Sequence, residues 1–116
     1  AQEDEKAIPA LSHAAGLSDD GELDLRLAQS HQNLANWAEC SDAAREALRK
    51  GDLRREDQGN MILGACLFEL EEYGQARTAF RTAEEDTRSR TAAQSWIQYV
   101  NAEEERERQL QAALSR

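Results

Sequence analysis

Two stretches of this chain carry the same spacing of large and small residues, 36 positions apart. Leu27 matches Leu63, Leu34 matches Leu70, Trp37 matches Tyr73, Ala43 matches Ala79 and Ala47 matches Ala83. A period of that length marks one supersecondary unit, too small to bury its apolar face alone, so the copies must stack. Stacked units present an extended surface, and this directs the expectation toward recognition rather than catalysis.

The residue types say what each unit is made of. Ala, Leu, Glu, Gln and Arg dominate, β-branched residues are scarce, and proline occurs once, at Pro9. These side chains lose little rotamer freedom in a helix, so an all-α fold is expected. The chain has 116 residues, room for one domain with a modest core. Its net charge of −9 leaves no Lys/Arg patch free of interleaved acids. Nucleic acid is therefore not expected as a partner, nor is an anionic membrane surface, since both require a concentration of cations. No apolar run is long enough to span a bilayer, so no direct membrane insertion is expected.

In the second copy the run is Leu63-Gly64-x2-Leu67, then Tyr73, then Ala76-x3-Phe80, then Ala83. It resembles the tetratricopeptide repeat (TPR), a 34-residue helix–turn–helix unit. The resemblance implies a right-handed α-solenoid of antiparallel helix pairs, here about six helices. Residues 1–18 would be the second helix of a truncated repeat, 19–52 and 53–88 two repeats, and 89–116 a C-terminal capping helix. The chain begins without an initiator methionine and in mid-repeat, so it is expected to be the C-terminal piece of a longer protein. A second resemblance rests on Lys6-Ala-Ile-Pro-Ala-Leu, on Gly21 through Ala28 and on Ser89 through Trp96. These look like the C-terminal segment of bacterial envelope TPR proteins associated with TonB–ExbB–ExbD systems. That similarity implies a periplasmic location, the alternative being cytoplasmic.

Several local readings refine the picture. Pro9 is placed near the start of the first helix, where its missing N–H costs little. Asp19 with Glu22 is compatible with a capping box, and Ser18 is an alternative cap. Gly51 after Lys50 reads as a C-terminal glycine cap. Gly64 should mark a close helix crossing. In the first copy Ala44 replaces the counterpart of Phe80, and Trp37 is the expected filler of the space. Cys40 and Cys66 are expected as a buried reduced pair behaving as small hydrophobes, with a disulfide as the alternative. Beyond Val100 the pattern turns charged on every side, as a terminal helix does, with Glu103–Arg106 and Glu104–Arg108 pairs.

In TPR arrays the first helix of each repeat lines a concave groove. Carried onto this sequence, that lining is Leu25, Arg26, Gln29, Gln32 and Asn33, then Gln58, Met61, Ile62, Ala65 and Phe68, then Gln94 and Gln98. Met61 and Phe68 are the apolar anchors, unless they pack against neighbouring helices. The family's clamp for acidic chaperone tails needs two lysines, an arginine and two asparagines. Those places hold Leu25, Gln29, Ile62, Gln94 and Gln98, so such a tail is not the expected ligand. His13 and His31 fall where helix packing explains them, and no nucleophile–base set or close Cys/His ligand spacing is readable. No enzymatic activity, cofactor or metal is expected. The expected partner is a protein or peptide; the competing roles are a structural cap of a longer solenoid, self-association through exposed ends at Leu11, Leu110 or Leu114, or an accessory factor of a bacterial envelope complex.

Overall fold

A computed structural model describes residues 2–116 as six helices. They are α1 (Gln2–Leu17), α2 (Glu22–Asn33), α3 (Trp37–Lys50), α4 (Glu56–Glu69), α5 (Tyr73–Ala83) and α6 (Arg90–Leu114). Each helix packs on the next along the chain, and α2 also touches α4. The outline is elongated, 52 × 31 × 21 Å. The buried core is built largely from alanine at the interhelix contacts, with Phe80, Leu67 and Val100 as its large members.

The 36-residue period is written into the backbone. Ala35 and Glu71 both adopt the left-handed conformation, with φ of 60° and 61°. The Asn36 N–H donates to the His31 carbonyl at 2.8 Å, and the Glu72 N–H to the Leu67 carbonyl at 2.9 Å. The Ala35 and Glu71 N–H groups donate to Gln32 and Phe68. This is the Schellman closure of a helix end, made twice with a side chain where glycine is usual. The links between the units differ. The first uses Gly51 (φ 77°) and Asp52 (φ 56°), while the 84–89 link has no left-handed residue.

Glycines permit two close approaches. A Cβ on Gly64 would lie 2.7 Å from the ring of the fully buried Phe80, which is the close crossing expected there. A Cβ on Gly21 would sit 2.2 Å from the Ala47 carbonyl oxygen. Gly21 also precedes α2 directly, and the Glu22 N–H is capped by Asp20 Oδ1 at 3.0 Å, not by Asp19 or Ser18. Ser18 Oγ instead accepts from the Asp20 N–H.

Three further features depart from the sequence reading. Pro9 lies in the middle of α1, at an exposed position; its missing N–H forfeits one bond of the helix there. Cys40 and Cys66 are not reduced: they form a disulfide joining α3 to α4, with Cα atoms 6.2 Å apart and both residues fully buried. Spacing along the chain carries no information about two cysteines on different helices. It is the packing of α3 on α4 that brings the two small-residue faces together. Lys50, which the sequence places only in the last turn of α3, is half-buried. Its Nζ donates to the Ala15 carbonyl at 2.7 Å and lies 2.8 Å from Oδ2 of the buried Asp24, joining α1, α2 and α3. No other donor reaches that oxygen, so its charge rests on the lysine contact. Trp37 is half-buried against the core.

Candidate partner-binding surface

The residues assigned to a groove divide into three environments. On α2, Gln29 Nε2 donates to Gln32 Oε1 at 2.9 Å and to Asn33 Oδ1 at 3.2 Å. Asn33 Nδ2 in turn reaches the Asp4 carboxylate of α1 at 3.4 Å. The amides are thus a ladder along one helix with a rung to its neighbour. Arg26 and Gln29 also border a hollow of about 390 Å³ between α1 and α2, floored by Ala7 and Leu11. Arg26, Gln29 and Asn33 are exposed, which leaves their remaining donors and acceptors to solvent.

Leu25 and Gln58 border a second hollow of about 310 Å³, where the starts of α2 and α4 meet the link before α6. Three arginines line it: Arg54, Arg55 and Arg88. They stand in the links or at a helix start and match no helix register, so no periodic pattern marks them. Two are held by carboxylates. Arg55 Nε donates to Asp57 Oδ1 at 2.9 Å, and Arg88 Nε donates to Asp86 Oδ1 at 3.1 Å. Asp57 is buried, and Ser89 Oγ donates to its Oδ2. The Arg55 hydrogen bond, helped by Ser89 and the charge of Arg88, outweighs burial and holds the Asp57 carboxyl well below the usual carboxylate range. The cations are balanced by Asp57, Asp86 and Glu22, so the hollow is polar rather than strongly positive.

The third group packs inward. Met61, Ile62, Ala65 and Phe68 are half-buried against the core. Phe68 stands at the centre of an aromatic cluster, with ring centroids 5.8 Å from Tyr73, 5.7 Å from Trp96 and 5.0 Å from Tyr99. Trp96 also stacks on Phe80 at 5.0 Å. Every aromatic residue except Trp37 is in this cluster, which seats α6 on α4 and α5, each pair adding about 1 kcal/mol beyond area burial. Phe68 thus serves the packing role that stood as the alternative to an anchor. Gln94 and Gln98 are exposed on α6.

Beside the cluster, burial and the nearby Glu107 carboxylate push the Tyr73 phenol up to about 12. Hydrogen bonding to Glu107 likewise raises the Glu71 carboxyl. His31 Nδ1 lies 3.2 Å from Asn36 Nδ2, a contact within the α2–α3 turn. Among the described residues no helix is long and apolar enough to cross a membrane. No protein-family model matches the chain, and no curated protein matches it.

Proposed function

We propose that this domain is a non-catalytic protein-interaction module of the TPR type, a right-handed solenoid of antiparallel helix pairs that binds a segment of a partner protein. The observation that carries the reading is the twice-made turn at Ala35 and Glu71, which gives the sequence period a structural counterpart. Repeats of this kind place like helices side by side, here α2, α4 and α6. The exposed, hydrogen-bonding residues on them are Arg26, Gln29, Asn33, Gln58, Gln94 and Gln98. Amides offer a donor and an acceptor each, suited to the backbone of an extended peptide. Met61 and Phe68 contribute shape from beneath rather than anchoring side chains.

The reading extends to compartment. We place the protein in an oxidising space, the bacterial periplasm, and the Cys40–Cys66 disulfide supports this because thiols in the cytosol are kept reduced. Thiol trapping of the protein in intact source cells tests it; two alkylatable cysteines after denaturation would count against export.

The binding reading is tested with a photoreactive side chain placed singly at Gln29, Gln58 or Gln98, and at Arg81 on α5 as the control. Adducts to one partner from the first three positions and none from Arg81 support the module. Adducts from Arg81 alone, or equal labelling everywhere, refute the groove.

A further inference from the structure

One flank of α6, beside the α4–α5 body, lacks the cover that its counterparts have. Tyr99 follows Leu63 by 36 residues, and Leu63 is 9% exposed while Tyr99 is 52% exposed. Leu63 is covered because α5 packs on α4; none of the described helices follows α6. At about 100° per residue, Ser95, Tyr99, Glu103, Arg106, Leu110 and Leu114 share one sector of about 100°. Leu110 and Leu114 are 52% and 75% exposed, on a stretch of helix that projects past the body. At the other end of the stripe, Ser95, Trp96 and Tyr99 surround a shallow apolar depression of about 290 Å³.

The order of residues along this stripe is self-complementary. Turned end over end about its midpoint, between Glu104 and Glu105, it sets Glu103 opposite Arg106, Tyr99 opposite Leu110, and Ser95 opposite Leu114. We propose that the occupant is a second copy of this chain, whose α6 lies antiparallel on the first in a two-fold dimer. Each Leu114 then seats in the other copy's depression at Ser95, Trp96 and Tyr99. Glu103 and Arg106, 2.8 Å apart within one helix, form a four-charge ring with their symmetry mates. An isologous interface requires this pairing of residue i with j and j with i. A parallel arrangement would set Glu103 on Glu103 and Arg106 on Arg106, like charges that repel. The stripe's own charges cancel, Glu103 against Arg106; beside it Glu104 pairs with Arg77 at 2.5 Å, while Glu71 and Glu107 flank Arg106. From Ser95 to Leu114 the helices overlap for about 30 Å. One helix pair of that length buries less than a standard interface, so the dimer should be concentration-dependent. The proposal does not depend on the peptide-binding reading, whose residues lie on other faces.

Sedimentation equilibrium of the oxidised chain, from micromolar to millimolar, tests it. The parent should double its mass with rising concentration, while E103R and R106E should each remain monomeric. An equimolar mixture of the two variants should recover the dimer, which a salt bridge confined to one helix cannot do. A parent that stays monomeric at millimolar concentration, variants that dimerise like the parent, or a mixture that stays monomeric would each overturn the proposal. Should either charge variant fail to fold, mixed Ser95→Cys and Leu114→Cys chains answer the same question. A disulfide between the two chains, and none in Ser95→Cys alone, is the expected result. No cross-link in the mixture, or equal cross-linking in both samples, overturns it.

Discussion

Removing the disulfide by the double substitution Cys40→Ala/Cys66→Ala should cost this domain a large share of its stability. The bond closes a separation of 26 residues. In the chain-entropy account that closure removes about 12 cal/mol/K from the unfolded state, or about 3.5 kcal/mol at 25 °C. Both sulfurs are fully buried, so the small voids left by alanine add to the loss. Against a typical total of about 5–15 kcal/mol the domain should remain folded but become fragile. Scanning calorimetry should record a fall in melting temperature of about 10–20 °C for a chain of this size. The parent under reducing agent should fall by a similar amount, and the double variant should not respond to reductant. A fall below about 2 °C, with the parent shown by mass spectrometry to be disulfide-linked, would refute the loop-closure reasoning.

Gly64→Ala should destabilise by about 2 kcal/mol, because the new Cβ meets a ring with no room to move, and Gly21→Ala by at least as much, because it meets backbone. Gly74→Ala, with nothing near and within α5, should stabilise by about 1 kcal/mol; urea titration of the three variants checks the ordering. Lys50→Ala strands the buried Asp24 carboxylate and should cost about 3–5 kcal/mol, whereas Lys50→Met with Asp24→Leu should recover most of it. The Tyr73 phenol is raised from 10.0 to about 12, so its contribution is intact below pH 10 and disappears as pH climbs from there to about 12. Tyr73→Phe should flatten the alkaline limb of a stability–pH curve and remove the later phase of phenolate absorbance.

The period in the sequence anticipated where the helices turn, because Leu27/Leu63 and Trp37/Tyr73 report the packed stripe on either side of each turn. The charged exposed pairs of α6 were legible for a similar reason: Glu103 and Arg106 are neighbours within one helix. Contacts between helices were not. Cys40 and Cys66, or Asp24 and Lys50, are brought together by the rotation of one helix against another, which no single-helix pattern encodes. A signal did exist for the first pair: both cysteines stand at small-residue positions of faces that meet at one joint. Phe68 was read as a groove residue because its register points toward the inner surface. What the register omits is that Trp96 and Tyr99, aromatic where α4 has Asn60 and Leu63, reach across to it. Pro9 reads as close to a helix start, yet it is mid-helix in α1, where an exposed position tolerates it.

The bond between Cys40 and Cys66 spans two repeats rather than closing one, and this has a mechanical consequence. If the protein is pulled by its two ends, the load crosses the sulfur bridge and the segment between the cysteines carries no tension. The 26-residue separation corresponds to roughly 90 Å of extended chain. In the oxidised state that length stays hidden however far the outer helices are drawn out. The reduced protein would pay it out. A tether between two moving partners would therefore have one reach in an oxidising environment and a longer one in a reducing environment.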